Sequence, residues 1–191
     1  MSKGDLRQNA LRSRRAIPRT RIAEMSRLVE GNLVAQREFE SARRIASYVA
    51  REDEVQTAAI LEGVLSRGKS VVVPLVDPPS DRLLFFEIHS LRDLSPGRFG
   101  IPEPKRADRP IPLSETDVVL VPMVAWDVRG HRLGHGRGYF DRALAERGPS
   151  LAIGLAFESQ SVPRVPEEPS DVQMDMVVTE KGAFRFGRNA S

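Results

Sequence analysis

The sequence predicts an α/β fold: a single domain over residues 1–191, with a largely parallel central sheet flanked by helices and a helical pair at the N-terminus. Three observations predict it. Short β-branched and aromatic runs alternate with segments of helical spacing through the middle of the chain, the pattern of strand–helix–strand units. The run "SVVVPLV" has no polar alternation, as expected of a strand buried on both faces. The chain shows no internal repeat and no low-complexity tract, so one core must organise all of it. Together these describe a Rossmann-like three-layer sandwich.

Each element has a local reason. Lys3 to Ala16 carries Leu6, Ala10 and Ile17 roughly on one face and reads as a helix. Pro18 suits the start of a second helix, in which Ile22, Met25, Val29 and Leu33 recur at helical spacing as far as Phe39. "RRIASYVA" (43–50) is a short strand, and "EVQTAAILEGVLSRG" (54–68) a helix ended by Gly68. "SVVVPLV" and "LLFFEI" are strands, and "SPGRFGIPEPKRADRPIP" is a Pro/Gly-rich loop, longer than most connections and so a candidate to line a site. "DVVLVPMVAW" gives the clearest strand signal; a glycine loop and a helix from Tyr139 to Arg147 follow it. "LAIGLAF" and "DMVVTE" are expected as the last two strands. In parallel sheets of this kind, ligands bind beyond the carboxyl ends of the strands.

Composition narrows the chemistry. Of 191 residues, 40% are hydrophobic and 29% charged, enough for a sizeable core beneath a soluble surface. No apolar run approaches the roughly 18–20 residues that span a bilayer. With no cysteine, disulfides, thiolate catalysis and Cys-based zinc sites are excluded. His89, His131 and His135 have no ligand-like spacing, so a zinc site is not expected. The net charge of +3 and pI near 9.7 suit a polyanionic ligand. The stretch "LRQNALRSRRAIPRTR" holds six arginines and no acid. It reads as a solvated helix face, as a phosphate-binding patch, or as a nucleic-acid contact, the last disfavoured because base-stacking aromatics are missing from it.

The segment "HRLGHGRGYFDRAL" (131–144) concentrates the candidate chemistry. Its glycines do not have the spacing of a dinucleotide fingerprint, and no Gly-Lys-Ser/Thr phosphate loop is present. Even so, glycines let backbone N–H groups converge on an anion, the following helix adds partial positive charge, and Arg132 and Arg137 add full charges. Asp141 would repel a phosphate unless Mg²⁺ bridges the two; otherwise it is an ordinary first-turn helix acid. Tyr139 is a helix-start packing residue or a ligand contact, and Trp126 either fills the core or walls a flat heterocycle.

Five segments in the same order resemble the 5-formyltetrahydrofolate cyclo-ligase family: "KGDLR", "DEVQT", "FGIPEP", "DVRGHRLGHGRGYFDRAL" and "SDVQMDMVVTE". The resemblance covers nearly the whole chain and begins at residue 3, which implies no cleavable presequence and a cytoplasmic enzyme. It implies cyclisation of 5-formyltetrahydrofolate to 5,10-methenyltetrahydrofolate with ATP as co-substrate and Mg²⁺ as cofactor. It further implies small-molecule partners, neither nucleic acid nor membrane, and a monomer. Lys3 and Arg7 would touch the ATP phosphates. Arg132, Leu133, Gly134, His135, Gly136, Arg137, Gly138, Tyr139 and Phe140 would form the nucleotide loop, with His135 to Tyr139 also bordering the folate. Val49 and Glu54 would contact the folate, Glu54 from near a helix start, along with Phe99 and Trp126. Asp141 and Asp171 would bind the metal. Arg137 and Asp141 are the expected catalytic residues, Arg137 stabilising the moving phosphoryl group. Phe140 stands where the family often has a second tyrosine. The rival expectations are a non-catalytic nucleic-acid-binding protein and a folate- or nucleotide-binding paralogue without turnover.

Overall fold

A computed structural model describes residues 2–97, 100–105 and 109–187. Helix α1 (Lys3–Arg15) starts at a reciprocal cap: the Ser2 hydroxyl accepts from the Asp5 amide, and the Asp5 carboxylate accepts from the Ser2 amide. Asp5 in the first turn and Arg12, Arg14 and Arg15 in the last complement the helix dipole. Pro18 caps α2 (Arg19–Val34) from just outside it. The apolar spacing that predicted one helix as far as Phe39 is broken at Ala35 and Gln36, and a short α3 (Arg37–Ser41) turns Phe39 into the core.

The strands and helices that follow are β1 (Arg44–Ser47), α4 (Ala58–Ser66), β2 (Ser70–Asp77) and β3 (Arg82–Ile88). Next come β4 (Leu94–Pro96), β5 (Pro102–Pro104), β6 (Val118–Pro122), β7 (Ala125–Trp126) and β8 (Arg132–Leu133). The chain ends with α5 (Tyr139–Ala145), β9 (Leu151–Leu155), β10 (Met176–Thr179) and β11 (Gly182–Arg185).

Seven strands form the main sheet in the order β11-β10-β9-β6-β1-β2-β3. The pairs from β10 to β2 are parallel, and β3 and β11 close the two edges antiparallel. After β1 the chain moves to β2 on one side and returns as β6 on the other, which opens a crevice between the carboxyl ends of β1 and β6.

Both sheet faces are covered, so the central strands are apolar at successive positions. Ile45, Val71 and Val118 face one layer with Val29, Leu33, Leu61 and Val64 of the helices. Their neighbours Ala46, Val72 and Val119 face the other with Leu144 and Trp126. Each fully buried aliphatic side chain contributes about 1.5–3 kcal/mol relative to exposure.

Several predicted elements are corrected. "DVVLVPMVAW" is two strands: β6 ends at Pro122, and β7 leaves the main sheet to pair with β8. The Pro/Gly loop contains a hairpin, β4–β5, although Phe99 falls outside the described residues. The helix expected from residue 54 starts at Ala58, because Glu54 to Gln56 make loop contacts instead: Tyr48 Oη donates to the Val55 carbonyl and the Gln56 amide to Ser26 Oγ. "DMVVTE" is followed by a further strand, β11.

The turn between β7 and β8 is built on a buried acid. The Asp127 carboxylate accepts from the amides of Arg129, His131 and Val165 at 2.9, 3.2 and 2.9 Å and from the Arg129 guanidinium at 2.7 Å. Gly130 closes the turn at φ +82, and a Cβ there would meet the Phe186 ring at 2.7 Å. Burial works to raise the Asp127 pKa, but the bonds from Val165, Arg129 and His131 outweigh it and hold the group below the usual 3.8. Asp127→Ala is expected to lower unfolding stability by about 3 kcal/mol, because it leaves buried amides unpaired; urea unfolding measures this. Because the folded pKa is the lower one, this carboxylate stabilises fully above the unfolded value. Its contribution disappears as pH falls from 3.8 through the depressed folded value, so an Asp127→Asn variant should show a shallower loss of stability over that acid range.

Candidate functional site

The carboxyl ends of β1, β2 and β6 open into a cleft of about 790 Å³. Tyr48 and Val49 lead out of β1 into it, Pro74, Val76 and Leu83 from the β2–β3 hairpin form an apolar wall, and Ile101 and Glu103 of β5 and its approach lie at its edge. The glycine segment from Arg132 to Asp141 forms the opposite side, with the start of α1 and the stretch from Glu168 to Val172 beside it.

One ion pair fixes the ends of the glycine segment. Arg132 Nη2 donates to Asp141 Oδ1 at 2.7 Å, joining β8 to the first turn of α5. The Arg132 side chain is 3% exposed and that of Asp141 21%. Burial pushes the Arg132 pKa down, opposed by Asp141 and Asp171, while its Nε makes no hydrogen bond among the described residues. Between these ends, Gly136 (φ +100) and Gly138 (φ +66) occupy the left-handed region that glycine tolerates. A Cβ on Gly136 would lie 3.2 Å from the Arg7 guanidinium carbon, so small size is needed there as well.

Cations gather around the loop. Arg7 Nε donates to the Gly134 carbonyl at 2.8 Å. Lys3 Nζ contacts Asp171 at 2.6 Å and Glu168 at 3.2 Å. Burial disfavours the Lys3 charge, but the hydrogen bonds to Asp171 and Glu168 prevail and its pKa rises above the ordinary lysine value. Tyr139 Oη donates to Asp81 Oδ1 at 2.6 Å, and Arg142 lies 5.2 Å from the Tyr139 ring centre, which ties the loop to the tip of the β2–β3 hairpin.

A buried carboxylate faces the loop across the cleft. Glu54 is 5% exposed. Its Oε2 accepts from the Arg51 amide at 2.9 Å, and its Oε1 lies 3.1 Å from His135 Nε2 and 3.8 Å from Arg14 Nη2. The Arg14 guanidinium is itself held by Asp53 at 2.9 Å and the Met123 carbonyl at 3.0 Å.

Sequence comparison agrees with this geometry. A model of the 5-formyltetrahydrofolate cyclo-ligase family matches residues 1–180. The chain belongs to that family. It is 34% identical over 148 residues to the 5-formyltetrahydrofolate cyclo-ligase of Haemophilus influenzae, covering 75% of this chain and 77% of that one. It is 32% identical over 177 residues to the enzyme of that name from Escherichia coli K12, covering 91% and 97%. The NMR structure of Aquifex aeolicus 5,10-methenyltetrahydrofolate synthetase superposes with a TM-score of 0.87 at 32% identity, over 100% of this chain and 96% of that one.

Within this cyclo-ligase fold, Lys3, Arg7, Val49, Glu54, Asp171 and the whole span from Arg132 to Asp141 line one cleft. Trp126, expected as an aromatic wall, does not. It is 1% exposed, packed in the core under the sheet with its ring centre 5.1 Å from that of Phe184, because β7 turns away from the cleft where β6 ends. The apolar wall is supplied by Pro74, Val76 and Leu83 instead. Sequence reasoning missed these, along with Glu168, Arg14 and Asp81; only the proline inside "SVVVPLV" marked that strand as unusual. No helix among the described residues is long and apolar enough to cross a membrane.

The Arg132–Asp141 pair yields a stability prediction. Arg132→Ala strands a half-buried carboxylate and should cost about 3 kcal/mol of unfolding free energy in urea. Arg142→Ala, at an exposed ion pair with Asp81, should cost under about 1 kcal/mol.

Proposed function

We propose that this chain converts 5-formyltetrahydrofolate and ATP to 5,10-methenyltetrahydrofolate, ADP and phosphate. The observation that carries the reading is the cleft itself, which sets a cation-rich glycine loop opposite a buried, fixed carboxylate. A formamide carbonyl is a poor electrophile and its oxygen a poor leaving group. Transfer of the γ-phosphoryl group to that oxygen gives an imidoyl-phosphate-like species; attack by N10 then forms the new C–N bond, the C–O bond breaks, and phosphate leaves with the N10 proton.

The residues divide the work. The amides of Gly134 to Gly138 with Lys3, Arg7 and Arg137 would hold the triphosphate and offset charge on the moving phosphoryl group. Glu54 would accept N–H groups of the pterin, which present a donor edge like that of guanidinium, and Val49 and the apolar wall would take its ring. Together they place the formyl oxygen in line with the phosphoryl group, so catalysis is mainly positioning and electrostatics.

The donor set also suits Mg²⁺. Asp141 and Asp171 each bring a partly exposed carboxylate to the cleft, paired with Arg132 at 2.7 Å and with Lys3 at 2.6 Å. Mg²⁺ usually takes only one or two protein carboxylates and completes its shell with phosphate oxygens and water. Asp141 and Asp171 would therefore hold an ion that arrives with the nucleotide, and it would supply charge neutralisation between the phosphates.

Incubation with 5-formyltetrahydrofolate, ATP and Mg²⁺ should produce the near-ultraviolet absorbance of the methenyl product. Folate binding without product would instead identify a paralogue that lacks turnover. Arg137→Ala should lower kcat by about 10²–10³ with the fold intact by circular dichroism, and so should Asp141→Asn, whose amide oxygen can still accept from Arg132 while the charge for the metal is lost. Lys3→Ala should mainly raise KM for ATP, because its ammonium serves ground-state and transition-state phosphates alike.

A further inference from the structure

The tripeptide Gly134-His135-Gly136 is pinned from two sides. On one side Arg7 Nε donates to the Gly134 carbonyl at 2.8 Å, and the Arg7 guanidinium carbon lies 3.2 Å from where a Cβ on Gly136 would stand. On the other, His135 Nε2 lies 3.1 Å from Glu54 Oε1. An imidazole nitrogen facing a carboxylate carries the proton, so His135 donates and Glu54 accepts. The nucleotide loop is thus tied in the free protein to the very carboxylate assigned to the folate. The two elements are far apart in sequence, and this side-chain contact joins them.

The tie to Glu54 competes with ligand binding. Glu54 is held on both oxygens: Oε2 accepts from the Arg51 amide, and Oε1 faces the Arg14 guanidinium, which Asp53 and the Met123 carbonyl fix in turn. Oε1 already faces two donors, His135 and Arg14, whereas Oε2 has one, so a ligand that offers two N–H groups to this carboxylate competes with the imidazole at Oε1. A triphosphate that gathers the loop amides towards itself would pull the same tripeptide from Glu54, while Arg7 can keep Nε on the Gly134 carbonyl and turn its Nη groups to phosphate. Each ligand therefore releases the same tripeptide. His135 is half exposed between two glycines, so its release meets little steric resistance.

We propose that His135 is a positioning residue that couples the two substrates: its bond to Glu54 latches the glycine loop in the free enzyme, and whichever substrate binds first opens the latch for the second. This rests on the folate and nucleotide assignments above. The first ligand breaks the contact and the second meets a loop already free, so binding is positively cooperative, and reciprocity requires each substrate to tighten the other by the same factor.

Titration calorimetry tests this with the β,γ-imido analogue of ATP plus Mg²⁺ and with 5-formyltetrahydrofolate, each alone and each in the presence of the other. In the wild-type protein each ligand should lower the Kd of the other by about fivefold or more. In His135→Ala, 5-formyltetrahydrofolate alone should bind about fivefold tighter, because no contact has to be broken. The mutual tightening should shrink to within about twofold. His135→Gln, whose amide N–H reaches the same carboxylate, should regain the coupling. If His135→Ala weakens both ligands but keeps the wild-type coupling factor, the residue is merely structural and the latch is overturned while the proposed function stands. If the folded wild-type protein binds neither ligand, the function and the latch fail together.

Discussion

The ion pair between Arg132 and Asp141 is the constraint on which the site depends. A loop rich in glycine has many conformations in the unfolded chain and no side chains to hold it in the folded one. Here its two ends are joined by a guanidinium and a carboxylate largely removed from water, where the pair is costly to separate although not strongly stabilising in itself. Between the ends, Gly136 and Gly138 adopt the left-handed backbone that glycine tolerates, and side chains from outside the loop, Arg7 and Glu54, hold Gly134 and His135.

The sheet supplies the frame for that pair. Five parallel strands buried on both faces form a rigid platform, and the reversal of strand order at β1 places Glu54 and the glycine loop on opposite sides of one crevice. Polar chemistry can then be concentrated at the carboxyl edge while the sheet beneath stays apolar. Fixed acids such as Asp127 and Glu54 extend the arrangement outward. Each satisfies backbone amides that would otherwise be unpaired, and each holds a segment that lines or supports the cleft. Glu54 is held by several neighbours at once, which fixes the orientation of its carboxylate in the cleft.

The positive charge of the N-terminal region is divided by the fold. Arg14 is buried and braces Asp53 and Met123, Arg7 reaches the glycine loop, and Arg19 makes an exposed pair with Glu52. The sequence shows one run of arginines. They differ because Arg7 and Arg14 lie on α1, one reaching the glycine loop and the other the Met123 carbonyl of the β6–β7 turn, while Arg19 opens α2 in water. Their linear spacing carries no record of that.

The alternation of apolar runs with helical spacing was enough to determine the α/β class and the helical N-terminus, because burial on both faces leaves an unbroken apolar signature in each strand. The glycine segment, Lys3, Arg7, Glu54 and Asp171 were legible because their residue types suit anion and pterin chemistry and their order matches a family pattern. The break of "DVVLVPMVAW" after Pro122, the burial of Trp126, the loop around Glu54 and the β4–β5 hairpin were not legible. Trp126 depends on Phe184, and Glu54 on Arg14 and His135, all distant in sequence, while β7 with β8 and Leu94 with Pro104 are hairpin pairings without a β-branched run or an Asn-Gly or Asp-Gly turn dipeptide to mark them. Local pattern determined which residues are apolar, charged or conformationally free. Only tertiary structure decided which of them meet, because hydrogen bonds and packing act between neighbours in space, and the chain order leaves those neighbours unspecified.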